Sequence, residues 1–103
     1  MSTTIKRTKS VPYEQELYKD LQNNPGEATE YLNLSLENPR EPELFLIALR
    51  HVAEAWGFSH LAEETGLNRE SMYKMLSQRG NPKLSSLLVL LDGMGLRLSV
   101  TKK

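Results

Sequence analysis

The sequence predicts an all-α domain of five to six short helices, closed by a short C-terminal β-strand. Three observations carry that expectation. Apolar residues recur at spacings of three and four through most of residues 13–93. Proline and glycine cut the pattern into six short stretches. Only residues 96–101 switch to a period of two.

Pro12 suits the first position of a helix. Tyr13, Leu17 and Leu21 follow at four-residue intervals with Tyr18 beside them, so 13–23 reads as a short amphipathic helix. Asn24-Pro25-Gly26 breaks it. Residues 27–37 form the second helix, with Ala28, Tyr31, Leu32, Leu34 and Leu36, and Asn38-Pro39 ends it. The clearest helix is 43–56, where Phe45, Leu49, Val52 and Trp56 make one stripe flanked by Leu46 and Ala53. Gly57 stops it. A fourth helix, 59–65, turns Leu61 and Ala62 inward and closes at Gly66, a residue that accepts the left-handed conformation of a helix end. Asn68 is a natural N-cap for the fifth helix, 69–77. Gly80-Asn81-Pro82 is a turn. The sixth helix, 84–93, is dense in leucine (Leu84, Leu87, Leu88, Leu90 and Leu91), and Gly93 and Gly95 end it. Leu96, Leu98 and Val100 then alternate with Arg97, Ser99 and Thr101. Periodicity assigns Trp56, Leu96 and Leu98 to the core. Residues 1–11 carry no core pattern, although Thr3, Ile5 and Arg7 could extend as a strand.

Composition excludes several function classes. Cysteine is absent, which removes disulfides, thiolate metal sites and cysteine nucleophiles together. No run of about 18 apolar residues exists, so no membrane span is expected. The basic start, MSTTIKRTKS, has no apolar stretch behind it and is no secretory signal. The expected location is therefore cytoplasmic. His51 and His60 are the only imidazoles, and a metal site would need further ligands. Glu63 and Glu64 point to different sides of their helix. There is no glycine-rich phosphate loop and no serine–histidine–acid pattern. No enzyme, no metal and no cofactor are expected.

Charge is balanced in total, with 13 bases and 13 acids, but not along the chain. Residues 11–45 set eight acids against Lys19 and Arg40, whereas 67–103 set seven bases against Glu70 and Asp92. An acidic front and a basic back suggest a basic partner for the one and nucleic acid for the other.

The most specific local signal is Leu61-Ala62-Glu63-Glu64-Thr65-Gly66-Leu67-Asn68. A small residue at Ala62 lets the next helix cross closely, Gly66 allows a tight turn, and Leu67 plugs the gap between the helices. Met72, Met75 and Leu76 then face inward. This is the spacing of a helix-turn-helix. The outward face of the fifth helix would carry Arg69, Glu70, Tyr73, Lys74 and Ser77. Arg69, Glu70, Tyr73 and Lys74 are the candidates for base contacts in a major groove: Arg69 suits a guanine edge, and Glu70 can accept from cytosine. Ser59, Ser77, Arg79, Asn81 and Lys83 are the candidates for phosphate contacts, which position a protein on double-stranded DNA without reading sequence.

The arrangement resembles the Xre-type, lambda-repressor-like helix-turn-helix domain and, more narrowly, the addiction-module antidote proteins, the HigA-like antitoxins. Tyr31-Leu32-Asn33, Ala48-Leu49, the stretch from Leu61 to Lys74, Gly80-Asn81-Pro82-Lys83 and Gly95-Leu96-Arg97-Leu98 carry the likeness. It covers about residues 27–100. Gly-Leu-Asn-Arg-Glu-Ser-Met-Tyr-Lys is its most family-like part, while Met94 stands where such sequences usually have Ala. The resemblance implies an antitoxin that represses its own operon and is paired with a small basic ribonuclease toxin of the RelE/HigB-like kind. Two alternatives remain: a stand-alone or prophage transcriptional regulator without a toxin, and a protein-interaction module that has lost DNA binding.

DNA readers of this kind act as dimers on two half-sites. A lone C-terminal strand cannot satisfy its own ladder, so Leu96, Leu98 and Val100 are expected to pair with the same strand of a second copy in a homodimer, or with Thr3–Lys9 of the same chain. A toxin would meet the acidic front, through Glu14, Glu16, Asp20, Glu27 and Glu30. The expected division is an N-terminal arm and short partner-binding helix, 1–26, followed by the DNA-binding domain, 27–103.

Overall fold

The computed structural model describes residues 12–77 and 79–103 of the 103, without the side chains of 12–15 and of Pro25. The expected Thr3–Lys9 strand and the Glu14 carboxylate lie outside the described residues. Among these residues six helices follow one another: α1 Pro12–Asn23, α2 Pro25–Ser35, α3 Pro42–Trp56, α4 Phe58–Thr65, α5 Arg69–Met75 and α6 Leu84–Gly93.

α3 is the centre. Its buried face carries Phe45, Leu46, Ala48, Leu49, Val52, Ala53 and Ala55, and α1, α2 and α4 all pack on it. α1 contributes Leu21, and α2 contributes Ala28 and Leu32. α4 bridges to the other half of the domain, packing on α5 and α6 as well. Phe58, Leu61, Met72, Met75, Leu76, Leu90, Leu91 and Met94 complete one continuous core.

Polar ties fasten the first two helices to α3. The Gln22 side-chain amide donates to the Ala55 carbonyl at 2.7 Å, which satisfies one of the carbonyls a helix leaves open at its C-terminus. The Tyr18 hydroxyl donates to Glu54 Oε1. The Tyr31 hydroxyl is 2.6 Å from His51 Nδ1, with the two rings stacked.

Several boundaries differ from the sequence expectation. The first helix ends at Asn23 as expected, but α2 starts at Pro25 rather than at 27, because a proline at the first helical turn sacrifices no intrahelical bond. α2 stops at Ser35, so Leu34 and Leu36 face outward and are exposed. α5 stops at Met75, two residues short of the expected end, where the Leu76 N–H bonds to the Met72 carbonyl. Trp56 is not core: it is 42% exposed. It is the last residue of α3, and the chain turns into α4 directly after it. Phe58, one residue past that turn, is buried instead.

Residues 96–103 carry neither helix nor strand pairing in the single chain. No strand is assigned among the described residues, since none of them offers this segment a ladder. Leu96 packs against the core as expected, but Leu98 is 43% exposed and Val100 98%.

Gly93 does more than end α6. A methyl group built on it would lie 2.5 Å from Thr65 Cγ2, so the missing side chain is what lets α6 lie against the end of α4. No helix among the described residues is long and apolar enough to cross a membrane.

Candidate functional site

The polar edge of the domain is built by α4, α5 and the three residues between them. Thr65 closes α4 by donating its hydroxyl to the Leu61 carbonyl at 2.6 Å. The same oxygen accepts from the Leu67 N–H at 3.1 Å. Gly66 takes the left-handed conformation, φ 76°, and its N–H returns to the Ala62 carbonyl. That conformation costs a residue with a Cβ about 1–2 kcal/mol, which is why glycine stands there. Leu67 packs against the core. Asn68 is extended, and its side chain accepts from the Ser71 N–H at 2.9 Å, supplying a partner for one of the N–H groups a helix start leaves open.

These contacts fix where α5 begins and how it is rotated. Met72, Met75 and Leu76 are turned into the core, so Arg69, Glu70, Ser71, Tyr73 and Lys74 are left outside. Arg69, Glu70 and Lys74 are exposed, as their spacing predicts. Tyr73 is different. Its ring stacks on Phe58 with centroids 4.4 Å apart and planes at 28°, and it is 38% exposed. The ring is therefore held against Phe58 as part of the surface while remaining open to solvent.

Ser59 is exposed in the first turn of α4, which carries no acidic residue. Arg79, Asn81 and Lys83 are exposed in the connection to α6. Ser77 is half-buried, and its hydroxyl donates to the Lys74 carbonyl at 2.9 Å; it lies past the end of α5, not on its face. Glu16 and Asp20 are exposed on α1, and Glu27 and Glu30 on α2. These four acidic residues thus sit on the two elements packed on α3 from the N-terminal side of the chain.

One residue at this edge was missed in the sequence. Arg50, from the outer face of α3, places its guanidinium carbon 5.8 Å from the Tyr73 ring centroid. Its Nε is 3.5 Å from Glu54 Oε2. The four-residue spacing of Arg50 and Glu54 is readable in the sequence, but the neighbourhood of Tyr73 is a tertiary contact with no sequence signal.

Among the described residues, short helices around one core, with hydrogen-bonding and cationic side chains displayed by a locally braced helix, define a small helical protein. Residues 14–102 match the family described as "Probable addiction module antidote protein", and the chain belongs to that family. It is also 36% identical over 70 residues to an uncharacterized protein of Haemophilus influenzae, across 68% of this chain and 71% of the relative. No solved structure matches it.

Proposed function

We propose that this antidote-family chain is the antitoxin of a type II addiction module, which binds a small toxin and reads a double-stranded DNA operator to repress its own operon. The observation that carries the DNA half is the α4–turn–α5 geometry. Gly66 and Asn68 brace a short helix whose outer face offers a guanidinium, a carboxylate and an ammonium. This reading makes α4 and α5 an Xre-type helix-turn-helix of the HigA-like kind, with α5 in the major groove. Arg69, Glu70 and Lys74 contact base edges, joined by Tyr73. Ser59, Arg79, Asn81 and Lys83 contact phosphates, and Ser77 joins them by turning its hydroxyl away from the Lys74 carbonyl. Ser59 is favoured further by its position at a helix start, where N–H groups attract anions.

Family membership supports the toxin half. A RelE/HigB-like ribonuclease toxin holds RNA and so presents a basic cleft, which the exposed Glu16, Asp20, Glu27 and Glu30 match in sign. In this division of labour residues 1–26 and the acidic start of α2 face the toxin and the rest of 27–103 serves DNA binding, although α1 is packed on α3 and folds with the rest. The cytoplasm is the setting that both activities need.

A homodimer fits the same reading. Leu98 and Val100 are exposed and their segment has no strand partner among the described residues. Pairing with a second copy would cover them. The exposed Leu84, Leu88 and Val89 of α6 are further apolar surface for that contact.

The test is fluorescence anisotropy of the full chain on a duplex from upstream of its own gene, beside a scrambled duplex, at two salt concentrations. The expected result is tighter binding to the native duplex, weakening as salt rises because phosphate contacts release counterions. Absence of binding to either duplex at low salt, with and without the toxin, would overturn the DNA half.

A further inference from the structure

Arg50 has no role in the reading above, and its surroundings do not account for it as a stability device. Its partner Glu54 lies four residues later on the same helix. An acid placed before the base is the better order for such a pair, and here the order is reversed. The two side chains are 44% and 25% exposed, and the single contact is 3.5 Å, so the pair is weakly bound and screened by water. Nor does Glu54 depend on Arg50, because its other oxygen accepts the Tyr18 hydroxyl.

What the fold does with Arg50 is hold it at the polar edge. Its guanidinium lies over the Tyr73 ring, and that ring is stacked on Phe58, the first residue of α4. Tyr73 shares a helix face with Arg69, one turn earlier. The cation thus lies over a ring of α5, and that ring in turn rests on the first turn of α4, which carries no acidic residue. A guanidinium keeps its charge at any working pH and can offer two parallel N–H groups to a phosphate.

We infer that Arg50 is a further DNA phosphate-contacting residue, presented from α3 across the ring of Tyr73. This inference rests on the DNA-reading role proposed for α5. It also gives Tyr73 a second task, that of a platform over which the Arg50 guanidinium is held.

The experiment is the salt dependence of binding to the upstream duplex by the wild-type chain and by Arg50→Gln, Arg50→Lys and Arg40→Gln. Each phosphate contact contributes about 0.9 to the slope of log affinity against log salt. Arg50→Gln should lower that slope by about 0.9 and weaken native and scrambled duplexes by the same factor. Arg50→Lys should keep most of the slope. Arg40→Gln, in the α2–α3 connection before the start of α3 at Pro42, which is itself about 12 Å along the helix from Arg50, should keep all of it. Wild-type binding with an unchanged slope in Arg50→Gln overturns the inference and leaves the DNA-reading role standing. A wild-type chain that binds neither duplex at low salt, with and without the toxin, overturns both.

Discussion

Replacing Gly93 with alanine tests how tightly α6 is locked to the end of α4. The new methyl would lie 2.5 Å from Thr65 Cγ2, against an ordinary carbon–carbon contact of about 3.5–4.0 Å. One side must move by about 1 Å. Rotating Thr65 would relieve the clash, but its hydroxyl holds the Leu61 carbonyl and the Leu67 N–H, each bond contributing about 1 kcal/mol. Forced overpacking costs about 1–3 kcal/mol. Alanine's advantage over glycine in a helix returns about 0.5–1 kcal/mol, and less at the last residue of α6. The expected net loss is about 1–2 kcal/mol, which lowers the melting temperature by at least about 4 °C in a domain of this size. The assay is a double-mutant cycle by thermal and urea unfolding. Thr65→Ser removes Cγ2 and keeps the hydroxyl, at a cost of about 0.8 kcal/mol for one methyl. In that background Gly93→Ala should be neutral or stabilising, so the coupling between the sites should reach about 1–2 kcal/mol. An equal loss from Gly93→Ala in both backgrounds would refute the close-approach explanation.

Further outcomes follow from the same contacts. Asn68→Ala should cost about 1 kcal/mol in urea unfolding, and Asn68→Asp, which keeps the accepting oxygen, should cost far less. Arg69→Ala should lower affinity for the operator by about 1–3 kcal/mol with little effect on scrambled DNA, while Lys83→Ala should weaken both about equally; anisotropy titrations showing the two variants alike would remove α5 from the groove. Leu98→Asp combined with Val100→Asp should shift the chain to a monomer in sedimentation, because two carboxylates would have to be buried at the contact. Reversing Glu16 and Asp20 to lysine should impair toxin neutralisation in a growth-rescue assay without lowering the melting temperature. Charge reversal is preferred to deletion of residues 1–26, since Leu21 is part of the core.

The helices were legible because their signals are local. Proline at 12 and 42, glycine at 57 and 66, and asparagine at 68 each act within a few residues of themselves, and each stands at a helix boundary. The turn before α5 was readable to the residue: Gly66 is left-handed and Asn68 caps. Features that depend on distant partners were not legible. Trp56 fits the α3 stripe perfectly well by spacing, but a stripe does not say whether any element reaches its last turn. Gly93 reads as a helix stop, and only the position of Thr65, on another helix, reveals it as a packing glycine. Tyr73 shares the spacing of a groove-facing residue, yet Phe58 captures its ring. Arg50 was invisible for the same reason, because spacing along α3 cannot show which part of α5 comes near.

Gly57 separates α3 from α4 by a single residue, and this makes the polar edge a lever. The eight residues of α4 span about 12 Å, so a tilt of about 5° at that pivot would swing the start of α5 by about 1 Å. In the proposed DNA-reading role, an error of that size would spoil a hydrogen bond to a base, whose useful range of length is about 0.5 Å. The aim of α5 is therefore only as accurate as the mounts at the two ends of α4. One mount is Gln22, reaching from α1 to the last turn of α3 beside the pivot. The other is the flush seat of Gly93 under Thr65 at the far end. Neither residue approaches the face it aligns, so substitutions at Gln22 and Gly93 would degrade pointing accuracy while every side chain on that face stayed in place.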